Sequence, residues 1–177
     1  RAIRFSTKLD MQFKILIFFA LTLTLFFSAC EAPIEDVTQK SLIPIPVSMK
    51  SGSGEFELNS TTQIIASEGN NVATYFKNLI APATGFDLKI EAADKTPATN
   101  YITLTILETK EATLGQEGYE LIIDKKGIKL TANEGAGLFR GIQTIRQLLP
   151  ADIEKTAKQA VKWTIPACHI KDHPNYE

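Results

Sequence analysis

The stretch from Tyr119 to Pro150 constrains the fold more than any other. Tyr119-Glu120-Leu121-Ile122-Ile123 and Ile128-Lys129-Leu130-Thr131-Ala132 are two strand-like segments separated by Asp124-Lys125-Lys126-Gly127. That pattern predicts a β-hairpin with Gly127 at positive φ. A helix is predicted to start after Asn133. Leu138, Ile142, Ile145 and Leu149 fall at i, i+4, i+7 and i+11, Phe139 widens the stripe, and Pro150 closes it. A hairpin followed at once by an amphipathic helix leaves each element one apolar face to bury. Laying the helix on the sheet buries both.

The rest of the chain fits the same layer. Ile43-Pro44-Ile45-Pro46-Val47 is expected to be extended, because proline fixes its own φ and restricts its neighbour. Glu55–Leu58 and Gln63–Ala66 read as strands. Asn70 or Asn71 is placed to cap a helix whose apolar face carries Val72, Phe76, Leu79 and Ile80, with Pro82 and Gly85 as its stop. Phe86–Glu91 alternates strictly, Tyr101–Leu107 is rich in β-branched residues, and Val161–Ile165 is a last strand after a polar loop. About six strands and two helices predict an α+β fold. The expected architecture is a single, mostly antiparallel sheet with both helices on one face, over residues 44–166.

The N-terminal part reads as an address rather than a fold. From Met11, Lys14 precedes a nearly unbroken apolar run, Ile15–Phe27, then Ser28-Ala29-Cys30. This is the tripartite secretory pattern over residues 11–29. The run is short for a bilayer core of ~30 Å. Residues 1–10 are expected to be upstream sequence without a structural role, and residues 30–43 a polar tether. Phe27-Ser28-Ala29-Cys30 resembles a bacterial lipobox, although Phe27 stands where leucine is usual. The resemblance implies lipidation of Cys30, and therefore an exported, membrane-anchored lipoprotein at the outer membrane or facing the periplasm.

Charge sharpens this division. The net charge of −1 combines +3 on residues 1–29 with −4 on the remainder. A mildly acidic body without a basic cluster argues against nucleic acid as a partner. The second cysteine, Cys168, lies in an apolar stretch and reads as packed rather than reactive or disulfide-bonded.

Three stretches together resemble a known family. They are Gly118–Leu121 with Gly127–Ala132, then Gly135-Ala136-Gly137-Leu138-Phe139-Arg140-Gly141-Ile142-Gln143-Thr144-Ile145-Arg146-Gln147-Leu148-Leu149-Pro150, then Trp163–Glu177. The chain is similar to the N-terminal domain of family 20 glycoside hydrolases, the β-N-acetylhexosaminidases, over about residues 43–177. Two positions depart from the pattern: Asn175 stands where arginine is common, and Arg140 where an aromatic residue is common. The resemblance implies a non-catalytic scaffold for a (β/α)8 barrel, with residues 167–177 starting the linker into it. It implies that the full-length protein hydrolyses terminal N-acetylhexosamine residues of glycans. The substrate's own acetamido group would act as nucleophile, with an Asp-Glu pair located further along the chain. Neither catalytic residues nor cofactor nor metal are expected in this segment. The partners implied are the barrel, its glycans and a membrane. Two alternatives stand beside this: a glycan- or protein-binding lipoprotein module, and the leading domain of another glycoside hydrolase family.

Several residues invite a chemical role but read more simply. Gly135, Gly137 and Gly141 would let the helix sit tight on the sheet. Gln143 and Thr144 would bond locally or to a neighbouring domain. His169 and His173 have a metal-ligand spacing only on a helix. In this proline-bracketed, extended stretch they would stand ~13 Å apart. Asp172 and Glu177 could form an acid/base pair, yet no second motif supports one. Glu134-Gly135-Ala136-Gly137 lacks the lysine of a phosphate loop. Asn59-Ser60-Thr61 matches a glycosylation sequon by chance. Trp163 is expected in the core or at a domain interface rather than stacked on a sugar.

Overall fold

A computed structural model of the protein describes residues 42–67 and 70–174, so the signal, Cys30 and the expected tether up to residue 41 lie outside the described residues. The elements run β1 (Ser48–Leu58), β2 (Gln63–Ala66), α1 (Asn71–Thr84), β3 (Lys89–Glu91), β4 (Tyr101–Ile106), β5 (Tyr119–Asp124), β6 (Gly127–Ala132), α2 (Gly135–Leu148) and β7 (Trp163–Asp172). The seven strands form one sheet in the order β1-β7-β5-β6-β4-β2-β3.

The α+β layer is as expected, but the sheet is mixed rather than mostly antiparallel. β1, β7, β5 and β6 pair antiparallel, whereas β6, β4, β2 and β3 pair parallel. Alternation within a strand says nothing of its direction. Here α1 is the crossover between β2 and β3, and a crossover returns the chain parallel.

One face of the sheet carries the core. Ile64, Ile102, Leu104, Leu121, Ile123, Ile128 and Leu130 meet Phe76 and Ile80 of α1 and Leu138, Ile142 and Ile145 of α2. Phe139 leaves the predicted stripe. It is 44% exposed and pairs with Tyr75 of α1, ring centroids 5.1 Å apart. The opposite face shows Thr103, Glu120, Ile122, Lys129 and His169 at least partly to solvent.

Local chemistry explains the ends. Asn70 caps α1, its side chain accepting from Val72 N (3.0 Å) and Ala73 N (3.1 Å). Pro82 does not stop that helix, which continues to Thr84. Only the bond to the Asn78 carbonyl is forfeited there, on an exposed turn. The stop is Gly85 at φ 70°, whose N–H returns to Ala81 O (2.8 Å). Gly127 is not at positive φ either. The β5–β6 turn has Asp at its first position and Gly at its fourth. Asp124 Oδ1 accepts from Lys126 N (2.7 Å) and Gly127 N (3.1 Å), the side-chain mimicry typical of such turns. Gly127 is required by space: a Cβ there would lie 2.6 Å from the Tyr101 carbonyl oxygen.

Both strands at the β1 edge are longer than the sequence suggests. β1 begins at Ser48 and absorbs a register break between Ser51 and Glu55, with Gly54 at φ 91°. β7 continues through Pro166 to Asp172, into residues expected to form a linker. The proline is tolerated because it sits at that break, before β5 joins on the other side. At the other end, Leu42 is buried in the core, so packing starts at the close of the expected tether. Residues 43–47 make bends rather than one extended run, and the Ile43–Pro44 peptide is cis.

Candidate functional site

The outer face of α2 is where polar and apolar groups converge. The helix seats close to the sheet because two of its glycines leave room. A Cβ on Gly137 would stand 2.2 Å from the Gly118 carbonyl oxygen, and one on Gly141 would stand 2.2 Å from the Leu130 side chain. Gly135 faces open space, so the packing explanation fails there. Below the helix, buried Tyr119 shares a 2.6 Å hydrogen bond with Thr144. Burial pushes the Tyr119 phenol up to about 12.

Between α2 and the leading segment lies a cavity of about 470 Å³. Tyr119, Ala136, Phe139, Ile43 and Pro44 supply its apolar wall, and the polar side chains around it bond to neighbouring side chains and backbone. Arg140 donates to Glu117 (2.5 Å). Gln143 donates to Tyr75 Oη (3.2 Å) and accepts from Arg146 (3.3 Å). Gln147 grips the Ile43 backbone from both sides, accepting from its N–H (2.9 Å) and donating to its carbonyl (3.1 Å). Asp172 accepts from Val47 N (3.2 Å). A smaller cavity of about 140 Å³ shares Pro44, Glu117, Arg140 and Asp172 with the first. It reaches His173 and Pro174, where the described chain ends.

Among the described residues, the candidates do not assemble a reaction centre. His169 bonds Glu120 (2.7 Å) on the outer sheet face, while His173 lies against the Pro174 carbonyl (3.0 Å). Among the described residues no three His, Cys, Asp or Glu side chains gather as a metal would need. Glu177 lies outside the described residues, and Asp172 is occupied with Val47. Three carboxylates are held below their ordinary range by a bonded cation: Asp87 by Lys77, Glu111 by Lys171, Glu154 by Arg146. A glycosidase general acid requires the opposite shift. Cys168 is buried, which pushes its thiol up to about 12 and keeps it protonated and inert. Trp163 is a core residue at 3% exposure. Asn59 holds a turn, accepting from Thr61 and from Asn100.

Three organising side chains escape a sequence reading: Asn100, Asn133 and Gln147. Gln143 and Thr144, expected to bond locally or to a neighbouring domain, bond within this one: Gln143 to Tyr75 and Arg146, Thr144 to Tyr119.

Comparison with known proteins accounts for the whole described layer. Residues 39–173 match the model of glycosyl hydrolase family 20, domain 2. The chain is 31% identical over 141 residues to a beta-hexosaminidase of Porphyromonas gingivalis, covering 77% of this chain and 17% of that protein. It is 27% identical over 147 residues to a lacto-N-biosidase of Bifidobacterium bifidum, covering 82% and 12%. The N-acetyl-beta-hexosaminidase of Streptomyces plicatus superposes with a TM-score of 0.71 at 32% identity, over 82% of this chain and 28% of that one. The chain thus spans about a quarter or less of the curated relatives it matches. By the match to that family model over residues 39–173, the chain belongs to glycosyl hydrolase family 20, as that family's domain 2.

Proposed function

We propose that this chain is the non-catalytic leading domain of a β-N-acetylhexosaminidase. Its α2 face would support the catalytic barrel that follows in the longer protein. One observation carries this: the side chains that line the α2 cavity bond internally, Tyr119 to Thr144, Arg140 to Glu117 and Gln147 to Ile43, and the perturbed carboxylates, which lie elsewhere, are ion-paired bases rather than acids. Such a layer braces; it does not cleave. The full-length protein would remove terminal non-reducing N-acetylhexosamine residues from glycans. Residues 11–29 would direct export, and a lipid on Cys30 would hold the protein at the outer membrane or facing the periplasm.

The tests are direct. The full-length product should cleave a chromogenic N-acetylglucosaminide, and residues 30–177 alone should not. Hydrolysis by residues 30–177 overturns this division of labour. Palmitate should label the wild type and not Cys30→Ala, and an unlabelled wild type refutes the anchor. A second reading, the leading domain of a different glycosidase, draws support from the lacto-N-biosidase relative. A full-length product that leaves the N-acetylglucosaminide intact but cleaves a lacto-N-bioside would favour it.

A further inference from the structure

We infer that the cavity between α2 and the leading segment is a socket for one apolar or aromatic side chain of the domain that follows Pro174. This inference rests on the scaffold reading above. Three observations point to such an occupant.

The first is the chemistry of the walls. A sugar needs unpaired donors and acceptors around its hydroxyls. Here Tyr119 is bonded to Thr144, Arg140 to Glu117, Gln147 to the Ile43 backbone and Asp172 to Val47 N. The wall between these bonded groups is apolar: the Phe139 ring, the Ala136 methyl and the Ile43 side chain, which is 78% exposed. An apolar group desolvates that wall without leaving a polar atom orphaned.

The second is position. The smaller cavity joins the socket to Pro174, so the chain leaves β7 at the socket's mouth. Whatever follows Pro174 is delivered to this face at high effective concentration. The third is the neighbourhood. Phe139 and Tyr75 form an exposed ring pair beside the cavity, and Ile45, 87% exposed, lines the smaller cavity that adjoins it. A central pocket ringed by exposed apolar side chains is the usual anatomy of a buried anchor site.

Thiol labelling tests this in the full-length product. Ala136 is exposed on the socket wall, Tyr75 is on the surrounding face, and Thr105 is on the opposite sheet face. Cysteine is placed at each position singly, and modification by a maleimide is read by peptide mass. We expect Ala136→Cys to label at least ~10-fold more slowly in the full-length product than in the 177-residue chain, with Thr105→Cys unchanged. Protection of Tyr75→Cys without protection of Ala136→Cys would mean a covered face over an empty socket. That outcome refutes the socket and leaves the scaffold reading standing. Equal labelling at all three positions overturns both. Protection of Ala136→Cys in the 177-residue chain by added N-acetylglucosamine would make the cavity a sugar site and overturn the inference.

Discussion

Asn133 holds the β4–β5 connection, and replacing it should loosen that connection before anything else. The side chain is 3% exposed and uses three of its four bonding positions. Its Nδ2 donates to Glu111 O (2.7 Å) and Gly115 O (2.8 Å), and its Oδ1 accepts from Glu111 N (2.8 Å). Each such bond contributes about 1 kcal/mol net, and more is lost when the backbone partners stay shielded from water. The partners lie in a partly exposed loop, so water replaces some of the loss. We expect Asn133→Ala to cost about 2–3 kcal/mol, or about 6–10 °C in Tm for a domain of this size. Asn133→Asp should cost more at pH 7, because a carboxylate would face two carbonyl oxygens. That carboxyl would have its folded-state pKa raised, so the extra cost should vanish below the unfolded aspartate value of about 3.9 and grow as pH rises. Urea unfolding gives the stability, and hydrogen exchange over residues 107–118 gives the locality. If Asn133→Ala loses less than about 0.5 kcal/mol with unchanged exchange, the loop is held by something else and the assignment is wrong.

Other outcomes follow from the same geometry. Gly137→Ala forces a Cβ onto a backbone oxygen and Gly141→Ala forces one into the packed Leu130 side chain, so each should cost about 1–3 kcal/mol, whereas Gly135→Ala should stabilise α2 by up to about 1 kcal/mol, all read by thermal melting. Gln147→Leu keeps the bulk but loses both bonds to Ile43, so amide exchange at residues 42–47 should speed up while the core stays protected. Cys168 should resist maleimide at pH 8 in the folded chain and react fully in urea. Its raised folded-state pKa means stability is intact below the unfolded thiol value of about 8.5 and declines as pH climbs towards about 12, a decline that Cys168→Ala should reduce.

Much of this fold is legible in the residues because periodicity reports which face of an element is apolar. The Leu138, Ile142 and Ile145 stripe, the β5–β6 hairpin and the Asn70 cap are each set by neighbours a few positions away. The motif of α2 carried the family for a related reason: glycine at 137 and 141 is demanded by contact with the sheet. Tertiary structure alone decided what depends on distant partners. The direction of β2, β3, β4 and β6 follows from where the crossovers land, and β7 runs through Pro166 only because β1 breaks register beside it. Phe139 is half-exposed rather than part of the buried stripe, and its ring partner, Tyr75, comes from a helix over 60 positions earlier. Gln147 and Ile43 are 104 residues apart, and no local pattern encodes their bond. Short-range sterics and solvation write themselves into sequence as period and spacing, whereas pairings between remote segments exist only once the chain has closed on itself.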